Sequence, residues 1–253
     1  NLSVEAGVQV LKNAKITGPE AELKKAVTAN KGHALALNLL ASFLGAVYGG
    51  DIRKRDKIES LYDDEDKGAH AKNVMACYES WFAETNQPEL DILTLLGLFD
   101  RPASKAAIDV LRAEPAIAGV SERLQNLSLV KWQYAVKRLR ELQLLAQPEN
   151  KEALVEERVL DCHPLIREHF GEQLQQQNPD GFKAAHGRLY EYYKNLPKEL
   201  PDTLEEMEPL FIAVTHGCLA GLYQAVFYDV FWERINRKNE YYILKQLGAF
   251  DSF

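Results

Sequence analysis

The segment Gly32-His33-Ala34-Leu35-Ala36-Leu37-Asn38-Leu39-Leu40-Ala41-Ser42-Phe43-Leu44 decides how the chain is to be read. Glycine at position 32 ends the preceding segment, because a residue without a Cβ takes the left-handed conformation at little cost. Leu35, Leu39, Leu40, Phe43, Leu44 and Val47 then recur at helical spacing, while Ala34, Ala36, Ala41 and Ala46 keep the other faces slim. A helix that is apolar on nearly every side belongs inside a core. Its first N–H groups lie outside the helical ladder and suit a phosphate or a polar ring edge. On the pattern alone, plain burial and presentation of that end to a ligand are both open.

Upstream, Ser3 caps a helix running to about Ala14, with Val4, Val8 and Leu11 on one stripe. Thr17-Gly18-Pro19 restarts the chain, with Pro19 suited to a first helical position, and Leu23, Ala26 and Val27 face inward. The apolar helix stops at Gly49-Gly50, so three short helices close into a small bundle. Asp51–Gly68 carries Arg53-Lys54-Arg55 and then Asp63-Asp64-Glu65-Asp66, the composition of a solvated linker or of a hinge.

Downstream, Val74, Met75, Tyr78, Trp81 and Phe82 predict one helix, Pro88 opens a second, and Ser104 caps a third that Pro115 breaks. Ser128 precedes another, with Trp132, Val136, Leu139 and Leu142 at helical intervals. The period then changes. Leu144-Leu145-Ala146 and Val159-Leu160 are short enough for strands, joined through Pro148-Glu149-Asn150-Lys151-Glu152. Helix, turn, helix and small hairpin make the pattern of a winged helix. Pro164 then predicts a helix to about Gln177, with His163 at or beside its cap.

Asn178-Pro179-Asp180-Gly181 marks a boundary, after which Phe182, Leu189, Tyr190, Tyr192 and Tyr193 share a helix. Thr203-Leu204-Glu205-Glu206 has the form of a capping box, and Pro209 is expected to kink or restart the helix it opens. Small residues in His216-Gly217-Cys218-Leu219-Ala220-Gly221 allow close helix approach. Tyr223, Val226, Phe227, Val230 and Phe231 read as an aromatic stripe of the core rather than a binding face. Large, small and aromatic residues alternating over helical pairs resemble a tetratricopeptide-like array.

Two of these stretches carry a family resemblance. Gly32-His33-Ala34-Leu35-Ala36-Leu37 resembles the Gly-x-Pro-Leu-Ala-Leu motif of the NB-ARC nucleotide switches, the STAND class of signal-transduction ATPases, with Ala34 in place of the proline. Cys162-His163-Pro164 is similar to their Met-His-Asp motif, of which the histidine is kept. The resemblance implies a mainly α fold: a small helical domain with a charged linker over 1–66, a winged helix with a short β-hairpin over 67–178, and the start of a helical-repeat sensor over 179–253. It implies ADP or ATP faced by Gly32, His33, Ala34, Leu35 and His163, with Mg²⁺ supplied by a nucleotide-binding domain outside this chain. The chain alone is then not expected to hold the nucleotide tightly. Its expected partners are that domain, a ligand or protein at the repeats, and further copies on activation, in the cytoplasm.

Composition narrows the alternatives. The 253 residues carry a formal charge of −7, which argues against nucleic acid as the main partner. A second reading, a DNA-binding regulator, would use Lys131, Lys137, Arg138 and Arg140 on the helix before the wing. A third is a protein-binding scaffold formed by 182–253. Cys77, Cys162 and Cys218 lack CxxC spacing and suggest reducing surroundings. No run approaches the roughly 18 apolar residues of a membrane span. Gly-x-x-x-x-Gly-Lys-Ser/Thr is missing, His163 and His169 fall on different faces of one helix, and no nucleophile elbow occurs. The chain is expected to be a non-catalytic piece of a larger protein.

Overall fold

A computed structural model describes residues 1–56, 69–85, 88–148 and 159–247. The charged run 57–68, the connection 149–158 and the end of the aromatic tail from 248 lie outside the described residues. Helices α1 (Val4–Asn13), α2 (Glu20–Ala29), α3 (Ala34–Tyr48), α4 (Ala69–Glu84), α5 (Pro88–Leu96), α6 (Lys105–Arg112), α7 (Leu129–Glu141), α8 (Pro164–Gln177), α9 (Pro179–Lys194) and α10 (Leu204–Leu219) follow in order. A π-helix over Val226–Ile235 comes after them. The fold is mainly α, without a sheet among the described residues. Packing divides it into one unit of Asn1–Ala103 with Asn126–Gln173 and a second of Ser104–Gln125 with Leu174–Phe253.

In the first unit, Ser3 Oγ accepts the Ala6 N–H at 3.2 Å and starts α1. Pro19 is the cap of α2 rather than its first helical residue. Helix α3 buries Ala36, Leu37, Leu39, Leu40, Ala41, Phe43 and Leu44, each leucine contributing about 1.5–3 kcal/mol. Gly49, at φ +62°, ends it. Helix α4 lies on α3, where the Tyr78 ring meets Phe43 edge-on at 5.0 Å and its hydroxyl donates to the Leu39 carbonyl at 3.2 Å. Helix α5 packs between α4 and α7.

The segments expected to form a hairpin meet differently. Leu160 pairs with Ala103 in an isolated antiparallel bridge, and the Ala146 N–H donates to the Asp161 carbonyl at 2.8 Å. The bridge exchanges two backbone hydrogen bonds and Ala146–Asp161 adds one, so no extended ladder of the wing type runs through the described residues.

In the second unit, Ser104 Oγ accepts the Ala107 N–H to cap α6, and α9 packs against both α6 and α10. The Arg188 guanidinium donates to the carbonyls of Val110, Leu111, Ala113 and Pro115, gathering the C-terminal end of α6 onto α9. Thr203 Oγ1 accepts the Glu206 N–H at 3.1 Å, but Glu206 reaches back to the Asp202 N–H, one residue beyond the reciprocal partner of a capping box. Pro209 does not restart α10, which runs through it. The carbonyl deprived of its partner is that of Glu205, on an exposed first turn where solvent reaches it.

The aromatic stripe is corrected most. Val226, Val230 and Ile235 are buried, whereas Tyr223, Phe227 and Tyr228 are exposed. The i→i+5 ladder of a π-helix widens each turn. Spacing that would gather valines and rings on one side of an α-helix therefore separates them here.

Candidate functional site

Three consecutive residues build the turn before α3. Lys31 at φ +48° and Gly32 at φ +66° reverse the chain, and the Gly32 N–H returns to the Val27 carbonyl at 3.0 Å. The Gly32 carbonyl accepts the Leu2 N–H at 2.7 Å. A Cβ at position 32 would stand 2.3 Å from the Leu2 oxygen, so both the conformation and the close approach require glycine. His33 is the cap of α3, its Nδ1 accepting the Ala36 N–H at 3.3 Å. In the neutral ring, Nδ1 as acceptor leaves the proton on Nε2. Ala34 is exposed and Leu35 half-buried at the first turn.

His163 repeats the device at α8. Its Nδ1 accepts the Leu165 N–H at 3.2 Å, with Pro164 in the first helical position. The chain leading to it is pinned by the Ala103–Leu160 bridge, by the Ala146–Asp161 bond, and by Arg167. Arg167 is buried, pairs with Asp161 and donates to the Asp100 carbonyl at 3.3 Å. Burial pushes the neighbouring Cys162 thiol up to about 12, so it stays protonated and inert.

His163 lies within electrostatic range of His33. Partial burial holds the His163 ring below its ordinary value, and the charges of His33 and then Arg167 act in the same direction. Residues 130 positions apart in the chain, each named by a separate motif, thus come within electrostatic reach inside one packed unit. Each ring caps a helix through Nδ1, leaving an Nε2–H and a positive helix end for an anionic oxygen. The chemistry available is hydrogen-bond donation to an anion.

The basic cluster on α7 does not act as one face. Lys131 and Lys137 are exposed, Lys137 lying 3.7 Å from Glu141. Arg138 turns inward, 3.3 Å from the buried Glu89 carboxylate and 4.8 Å from the Trp81 ring centroid. Arg140 is half-buried, with its Nε enclosed. Arg138 is therefore engaged within the fold.

Motif reading passed over Arg167, whose place between Ile166 and the helical neighbour Phe170 hinted at burial. It also passed over Gly97 and Gly171, where the end of α5 and the backbone of α8 touch. The pair His186 and His216 was missed because nothing local links residues 30 apart. No protein-family model matches the chain, and no curated protein is similar to it. No helix among the described residues is long and apolar enough to cross a membrane.

Proposed function

We propose that this chain is the regulatory half of a nucleotide-gated switch of the STAND class. Residues 1–66 act as the small helical domain, 67–178 as a winged-helix latch, and 179–253 as the start of a tetratricopeptide-like sensor. What supports the reading is that His163 lies within electrostatic range of His33 and that each ring caps a helix N-terminus with Nδ1. A diphosphate held by a separate P-loop domain would receive these donors only in the closed arrangement, which makes the bond a reporter of state.

The protein in this reading is cytoplasmic, binds ADP when closed and ATP when open, and self-associates once open. Mg²⁺ and the P-loop come from the partner domain. The test is ADP retention by the intact protein. A hydrogen bond to a charged group contributes about 1.5–3 kcal/mol, so His163→Ala is expected to weaken ADP binding roughly 10- to 100-fold. Unchanged retention and unchanged basal activity would overturn the latch role.

A further inference from the structure

The stretch after α10 is held down mainly by polar contacts. Gly221, at φ +79°, turns the chain out of α10, and the π-helix Val226–Ile235 lies back against that helix. Val226 packs on Gly217 beside the Tyr190 ring, where a Cβ would not fit. Val230, Ile235 and Ile243 are the other buried apolar anchors of this stretch among the described residues.

Two guanidinium groups do the rest of the fastening. Arg234 donates to the carbonyls of Lys194, Pro197, Lys198 and Glu199. Arg237 donates to the Pro201 carbonyl at 2.7 Å and to the Asp202 carboxylate at 3.0 Å, and its Cζ lies 3.5 Å from the Tyr242 ring centroid. The Tyr242 hydroxyl donates to the Asp202 carbonyl at 3.2 Å. All of these bonds land on the end of α9 and the loop that follows it.

The backbone beside these arginines is strained. Arg237, Lys238 and Tyr241 sit at φ +51°, +58° and +52°, left-handed angles that residues other than glycine adopt at a cost. The π-helix before them is itself a rare conformation that recurs at functional sites. Strain of this kind persists only where surrounding contacts enforce it, and it concentrates at clamps and switch regions. Here the enforcing contacts are those of Arg234 and Arg237.

We propose that 226–245 is a strap over α10, closed by Arg234 and Arg237 and opening as one unit about Gly221. Opening relaxes the left-handed residues and gives up few buried apolar groups. It uncovers the face of α10 at Gly217 together with the Tyr190 ring, a surface that the closed strap withholds. The proposal rests on this fastening and not on the nucleotide reading.

Native-state hydrogen exchange on the 253-residue chain tests it, since amides that open together exchange with one free energy. The amides of 226–245 are expected to exchange as a group, about tenfold or more faster than those of α9. Arg237→Gln removes the charge-assisted bonds and the ring contact, and should speed the whole strap about tenfold, Val226–Ile235 included, with α9 unchanged. Two surface variants that spare folding give a second arm. Lys238→Gly relieves one left-handed residue and should slow the strap about two- to fivefold. Lys238→Ala loses the same exposed pair with Glu233 but keeps its Cβ, and should not slow it. A wild-type strap that exchanges as slowly as α9 would overturn the proposal. So would a gain confined to 236–245 in Arg237→Gln, which is local fraying, or an equal gain in α9, which is global unfolding. A Lys238→Gly variant no slower than Lys238→Ala would show that no strain is stored, and would overturn it too.

Discussion

His33 and His163 do one job in this chain and His186 and His216 another, and their surroundings decide which. His33 and His163 cap helices through Nδ1. His186 and His216 are buried, and their Nδ1 atoms lie 2.8 Å apart in one hydrogen bond between α9 and α10. Phe182 packs on the first ring and Tyr193 stacks on the second. Burial, and then the charge of His216, pushes His186 down to about 3. The unfolded chain binds this proton near pH 6.5 and the folded chain does not. Stability from His186 is therefore complete above that pH and is lost as the pH falls toward 3, at up to about 1.4 kcal/mol per pH unit. Urea unfolding at pH 6.5 and pH 5 should show a loss of about 2 kcal/mol that is missing in His186→Asn. An identical acid dependence in the variant would show that the ring already titrates in the folded state. None of this is visible in the sequence, where the two rings are lone histidines 30 residues apart.

Helices were legible in the sequence wherever their causes are local. Ser3, Ser104, Ser128 and Thr203 each accept the N–H three residues on, as their positions before apolar runs require. The burial of α3 follows from its composition in the same way. Legibility fails where the outcome depends on contacts far along the chain or on a changed helical period. The π-helix is the second case, since reading Tyr223–Phe231 at the α-helical period puts rings in the core that the wider turn faces outward. Gly97 and Gly171 are the first case. A Cβ on Gly171 would lie 2.5 Å from the Gly97 oxygen, and one on Gly97 would lie 2.4 Å from the Gly171 nitrogen. Neither obstacle is a side chain that can rotate away. Gly171→Ala is expected to cost about 2–3 kcal/mol despite alanine's better helix propensity. Gly45 on α3 has nothing within 4 Å of a Cβ, so Gly45→Ala should instead stabilise by about 0.5–1 kcal/mol. Denaturant midpoints of the two variants check the contrast, and equal shifts would refute the backbone contact.

At the scale of the whole molecule, the first packed unit joins α1–α5 with α7 and the start of α8, and so holds both motif histidines. The candidate site in the sequence was two motif fragments separated by 130 residues; that they lie near one another depends on the intervening packing, which no local pattern encodes. The turn at Gly32 and the segment before α8 are each pinned locally, by the Leu2 backbone and by the Ala103–Leu160 bridge. In the proposed function both rings serve the same anion. A double-mutant cycle on ADP affinity in the intact protein measures that directly, using His33→Ala, His163→Ala and both together. If the rings share one phosphate, the double variant loses less than the sum of the singles, with a coupling of about 0.5–3 kcal/mol. Losses that simply add, or a His33→Ala variant that binds ADP as the wild type does, would contradict it.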